Sequence, residues 1–238
     1  MSLAYIFAAT KAEARALRRV PPAAGAVQCS TPARIFVTGM GPAAARAAAR
    51  RAVESIPAAG PRPTLFLVMG VCGSLTKSLA ENTIVIYSAC LTTAGNETAK
   101  TSSTLAGRMA AALEAKCGPI ESVVGVTTHK MAALRSEKLH LAERGASVVD
   151  MESYEILAAA RAAGIPGAAL RVVSDSLERE LPDFTPAIGP GGEIRRVAAA
   201  LIALRAPVST ARLMAAQRRA IKRLEAALEV ALGSFAGL

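Results

Sequence analysis

Apolar positions along the chain follow two periods that alternate from one end to the other. Short apolar runs bounded by glycine, proline or small polar residues read as strands; stretches with apolar residues three and four apart read as helices. Strands are predicted over residues 4–9, 34–38, 64–69, 83–88, 122–128, 147–149 and 168–173. Helices are predicted over 11–19, in the Ala-rich stretch 39–56 behind a glycine turn, and over 105–116, 138–144, 154–163, 193–204 and 210–232. Gly164 and Pro166 punctuate the end of the helix 154–163, as expected of a C-terminus. Residues 57–63, 92–103 and 181–192 read as loops, and Gly70 to Leu75 as a turn closing the strand before it. The alternation argues for a layered α/β sheet. No internal repeat or linker divides it, so one domain over residues 1–238 is expected.

Composition narrows the class. A chain of 238 residues, 52% of them hydrophobic, can bury a sizeable core. No apolar run approaches the length needed to span a bilayer, and residues 4–9 read as a first strand, not a signal peptide. Cys29, Cys72, Cys90 and Cys117 are scattered, without a C-x-x-C pair, and neither His129 nor His140 stands at metal-ligand spacing from them. They read as reduced thiols of a cytoplasmic protein, with no metal and no cofactor expected. The net charge of +10 is concentrated near the C-terminus. There Arg195, Arg196, Arg205, Arg212, Arg218, Arg219, Lys222 and Arg223 follow one another with no acid between them. That region has no aromatic side chains for base stacking, which argues against nucleic acid. Leu213, Ala216, Ala220, Leu224, Ala227 and Ala231 fall at helical spacing there. The pattern reads as a packed surface helix, and its basic, amphipathic character also suits peripheral membrane contact.

Candidate chemistry gathers at strand ends. Asp150 and Glu152 follow one strand and Asp175 ends the next, at the sheet edge where open α/β folds bind ligands. Spacing alone leaves a plainer reading equally open, with Asp150 capping a helix and Asp175 opening a turn. Gly39-Met40-Gly41-Pro42-Ala43-Ala44 matches G-x-G-x-x-A. A dinucleotide fold is disfavoured, because the next strand ends at Gly70 without an acid to hold a ribose. Gly70-Val71-Cys72-Gly73-Ser74-Leu75 would let a ligand approach bare backbone. Cys72 lacks a histidine partner that would mark it as a nucleophile. Glu13 reads on its own as an exposed helical glutamate.

Three segments together resemble the purine and uridine phosphorylase superfamily, which includes methylthioadenosine/S-adenosylhomocysteine nucleosidases. They are Val149-Asp150-Met151-Glu152-Ser153, Ser174-Asp175, and Ala8-Ala9-Thr10-Lys11-Ala12-Glu13. The glycine turn Thr38 to Ala45 is similar to the family's, with Pro42 where a lysine is usual, and Asn82-Thr83 departs from its Gly-Asp. The run from Val149, the segment Arg171–Phe184 and the basic tail further resemble a hopanoid-associated branch, implicated in releasing adenine from adenosylhopane. The resemblance implies a three-layer α/β/α sandwich around a mixed, partly barrel-like sheet, and a homo-oligomer.

It also implies roles. Asp175 would be the general acid at N7 of a departing adenine, in a partly desolvated pocket that lets it keep a proton. Glu13 would activate water on the opposite face, as in an inverting glycosidase. Glu152 would accept hydrogen bonds from the ribose 2′ and 3′ hydroxyls, Met151 would pack on the sugar and Ser174 would orient Asp175. Cys72 and Gly73 would line base and sugar. The family's phosphate-binding G-D-P-x-R loop and its arginine before the second glycine segment are missing, Val68-Met69 preceding Gly70. The resemblance therefore implies hydrolysis of a 5′-substituted adenine nucleoside before phosphorolysis, and the hopanoid-associated branch implies a lipid-linked one. A nucleoside-binding protein without turnover is the rival, and a dehydrogenase comes third.

Overall fold

The structure, a computed structural model, describes residues 3–18, 33–58 and 63–235. Arg19, Cys29 and residues 59–62 of the predicted loop lie outside them. Among the described residues eight strands and seven α-helices are interspersed. The first half runs β1 (Leu3–Ala8), α1 (Lys11–Arg18), β2 (Ala33–Val37), α2 (Pro42–Glu54), β3 (Pro63–Ser74), β4 (Ile84–Thr92), β5 (Thr98–Lys100) and α3 (Ser103–Cys117). The second runs β6 (Ile120–Thr127), α4 (Arg135–Ala142), β7 (Val148–Asp150), α5 (Ser153–Ala162), β8 (Gly167–Asp175), α6 (Arg196–Arg205) and α7 (Pro207–Gly233).

The sheet is mixed. Its order is β2-β1-β3-β7-β6-β4-β5, with β8 bridging β3 and β4. Strands β3, β8, β4, β6 and β7 therefore close on one another, while β1 and β2 extend as an open wing. This is the partly barrel-like, three-layer arrangement expected. Period-two alternation distributes the strand side chains between two cores. Ile6, Leu67 and Leu170 face α1, α3 and α7; Phe7, Phe66 and Ala169 face α2 and α5. Helix α2 begins with Gly41 at its cap and Pro42 in its first turn, a favoured start. Its buried face is alanine throughout (Ala44, Ala45, Ala48, Ala49, Ala52).

Three expectations change. Residues 70–74 form the second half of β3, not a turn, because Gly70 to Gly73 continue the ladder with β8 through a bulge. The predicted loop 92–103 contains β5, paired antiparallel with β4. The apolar face of α7 is not free for a membrane. Leu213, Ala216, Ala220, Leu224, Ala227 and Ala231 are all buried, and those from Ala220 on pack in the core with β3 and β8. Helix α6 by contrast buries no residue. It meets α7 at 117° across Ala206, where Pro207 ends its hydrogen-bonding run. Among the described residues no single helix is long and apolar enough to cross a membrane.

Candidate active site

One cavity gathers every candidate residue named from the sequence: Glu13, Cys72, Gly73, Met151, Glu152, Ser174 and Asp175. Chain direction explains the convergence. β1, β3 and β8 run parallel, so the start of α1, the end of β3 and the end of β8 meet at one edge of the sheet. The short β7, antiparallel to β3, delivers Asp150, Met151 and Glu152 to the same place.

Glu13 is buried, not exposed, at 3% accessibility. It forms a capping box with Thr10: Glu13 Oε2 accepts from the Thr10 amide at 2.8 Å, and the Glu13 amide donates to Thr10 Oγ1 at 3.2 Å. Its other oxygen accepts from the Val71 amide at 3.1 Å. Gly70 makes this contact geometrically allowed. A Cβ there would stand 2.5 Å from Glu13 Oε1 and 2.6 Å from Arg171 Nη1, closer than any side-chain carbon tolerates.

Arg171 is the hub of the site. It is 1% exposed, lies 3.3 Å from Asp150 Oδ2 and 3.5 Å from Glu152 Oε2, and donates to Ser153 Oγ at 2.9 Å. Burial alone would push Asp150 up, but Arg171 and hydrogen bonds from Ser153 and Thr127 overcome it and hold Asp150 below the usual range. Asp150 also accepts from Tyr87 Oη at 3.0 Å and from the Ser153 amide at 3.0 Å. It serves as helix cap and arginine anchor. Glu152 differs. Burial raises it to about 7, with Arg171 lowering it and Asp150 opposing; the Gly41 amide donates to its Oε1 at 3.0 Å. The glycine turn therefore contributes an amide donor to the site. The buried Cys72 thiol is pushed well up by its burial, which keeps it from thiolate chemistry.

Asp175 has a partner that the motifs did not show. It is buried, and Ser174 Oγ donates to its Oδ1 at 2.7 Å. The Lys138 ammonium, itself fully buried, lies 2.6 Å from its Oδ2. Sequence reasoning missed both cations. Arg171 left a signal, the one charged side chain in the apolar run 168–173. Lys138 left none, since in the charged run Arg135-Ser136-Glu137-Lys138 it looks like any solvated helical lysine.

Fold and site together define a class: a nucleoside-phosphorylase-type α/β protein with acidic groups converging at a strand-end cavity. The chain belongs to the phosphorylase superfamily, whose family model matches residues 6–203. Three solved structures carry the same fold. A 5′-methylthioadenosine/S-adenosylhomocysteine nucleosidase from Neisseria meningitidis, in complex with methylthio-immucillin-A, aligns with a TM-score of 0.75 and 12% identity over 99% of this chain and 100% of that one. The futalosine hydrolase of Helicobacter pylori aligns at 0.73 and 14% over 97% of each chain. An S-adenosylhomocysteine nucleosidase from Streptococcus pyogenes aligns at 0.71 and 15%, over 98% of this chain and 97% of that one. No curated protein matches the sequence.

Proposed function

We propose that this protein hydrolyses the N-glycosidic bond of a 5′-substituted adenine nucleoside. The observation that carries the reading is the meeting of Glu13, Glu152 and Asp175 in one buried cavity. In the reaction so read, the C1′–N9 bond breaks through an oxocarbenium-like state. Asp175 protonates the departing base and Glu13 orients the attacking water. Glu152 binds the ribose hydroxyls, its charge favouring the developing cation. Met151 packs on the sugar, and Ser174 aligns the Asp175 carboxyl. Cys72 and Gly73 form the wall beside base and sugar.

Water is favoured over phosphate on charge. The cations lining the cavity among the described residues are Lys130 and Arg171. Lys130 is paired with Glu137 at 2.6 Å, and Arg171 with Asp150 and Glu152. A phosphate dianion beside Glu13 would meet acids without a free counter-charge.

The fine substrate reading is adenosylhopane, a nucleoside with a very large lipid at its 5′ carbon. A surface feature supports lipid contact, on α6 rather than on α7. Val197, Leu201 and Leu204 are exposed along it, with Arg195 and Arg196 ahead of them, Arg205 behind them and no acid in the stretch. Helix α6 packs on the turn Thr185–Ala187, and Thr185 accepts from the amide of Met131, a lining residue. The second reading, a nucleoside-binding protein without turnover, draws on the Lys138–Asp175 ion pair.

The test is adenine release from adenosine, methylthioadenosine and a long-chain 5′-alkyl adenosine, with and without phosphate. Release without phosphate, fastest for the long chain, is expected. Strict phosphate dependence would turn the assignment to a phosphorylase, and binding without release would leave the second reading.

A further inference from the structure

Lys138 is fully buried, and its three ammonium protons have three acceptors. They are Asp175 Oδ2 at 2.6 Å, the Ser176 carbonyl at 2.7 Å and the Arg179 carbonyl at 3.1 Å. A methionine would fill the same volume without the several kcal/mol that burying an ion costs. The charge is placed selectively: its one anionic partner lines the cavity, while Lys138 itself stands behind it. The same ammonium fixes the turn after β8. The turn leads to Leu181, another lining residue, whose amide donates to Ala133 O at 2.9 Å.

We propose that Lys138 is a positioning residue for leaving-group activation, acting only through Asp175. This rests on the glycosidase reading above. In the step, the C1′–N9 electron pair moves into the purine as Asp175 passes its proton to the base. The carboxylate left behind forms the ion pair with Lys138 seen here, stabilised as its charge appears. Solvent returns a proton to Asp175 after the base leaves, and the proton of the attacking water leaves through Glu13. Lys138 takes no part in the proton transfer, because all three of its N–H groups are engaged with acceptors. Ser174 holds one oxygen of the carboxyl and Lys138 the other, so the acid has a single orientation.

The test compares two substrates in the full chain. One is the best adenine nucleoside of the assay above. The other is p-nitrophenyl β-ribofuranoside, whose leaving group departs without protonation. Lys138→Met is expected to lower kcat on the adenine nucleoside by about 100-fold or more, within the range of general-acid effects. KM should change by less than about threefold, and the p-nitrophenyl substrate should be nearly unaffected. Lys138→Arg, which keeps the charge, should recover part of the loss. Equal losses on both substrates would overturn the proposal and make Lys138 a structural residue. Should Lys138→Met not fold, Asp175→Asn and the double variant Lys138→Met/Asp175→Asn carry the test, because the double variant leaves no unpaired charge. Their residual kcat on the adenine nucleoside should be the same, and a further drop in the double variant would refute action through Asp175 alone. Wild-type protein without turnover on either substrate would overturn the glycosidase reading and this inference with it. Wild-type turnover with unselective losses overturns the inference alone.

Discussion

Glu152 offers a prediction with a worked sign and size. Its carboxyl is raised from 4.5 to about 7, mainly because burial penalises the charged form. A shift of that size corresponds to about 3 kcal/mol between protonation states. As a group raised in the folded state, it contributes stability that is full below about pH 4.5 and lost as pH rises through about 7. For binding the sign is opposite, since only the ionised form accepts from two ribose hydroxyls. In the free enzyme the Glu152 limb of kcat/KM should therefore rise about tenfold per pH unit from pH 5 to near 7. Glu152→Gln removes both behaviours. It replaces a charge-assisted hydrogen bond worth about 1.5–3 kcal/mol, so kcat/KM at pH 8 should fall roughly 10- to 150-fold. The acid limb should flatten, and the thermal melting point should lose the part of its pH slope between about 4.5 and 7. Steady-state kinetics on the adenine nucleoside from pH 5 to 9, with melting curves across the same range, measure both. An unchanged acid limb in Glu152→Gln, or a flat wild-type profile, would refute the reasoning.

Asp175→Asn leaves the buried Lys138 ammonium without its anion, a loss of roughly 3–5 kcal/mol, and should lower kcat on the adenine nucleoside by about 100-fold or more, with adenine release as the readout; wild-type rates would remove Asp175 as the acid. Arg171→Met strips the buried partner of Asp150 and Glu152, a change that costs roughly 3–5 kcal/mol; a melting-point drop of about 10 °C is expected by scanning calorimetry. Gly70→Ala forces a methyl against Glu13 and Arg171, and overpacking of this kind costs about 1–3 kcal/mol; turnover should fall further than stability accounts for, as judged by kcat against denaturant midpoint. On α6, Leu201→Asp should reduce co-sedimentation with anionic vesicles and leave turnover of water-soluble nucleosides unchanged; equal vesicle binding by both proteins would remove the membrane contact.

Much of the fold lay open in local pattern. Strand and helix positions follow from apolar periodicity, and the alanines of α2 and the apolar row of α7 marked buried faces before any partner was known. Particular residues show where that pattern stops. Gly70 to Gly73 looked like a turn because glycines break local structure, yet their ladder with β8 keeps them in β3; only a strand about a hundred residues away could decide that. Glu13 carried the spacing of a helical surface residue, and burial under β3 made it part of a cavity. The site carboxylates were legible because Met151-Glu152 and Ser174-Asp175 are contiguous motifs at strand ends. Arg171 and Lys138, the cations paired with the site's acids, are single residues whose partners lie elsewhere in the chain. The sequence by itself determined which segments form strands and helices and which acids stand at the sheet edge, since both depend on neighbours within a few residues. Tertiary structure alone decided which acid is paired with which cation. Burial and charge pairing are fixed by contacts between distant elements, and those contacts exist only once the sheet has closed.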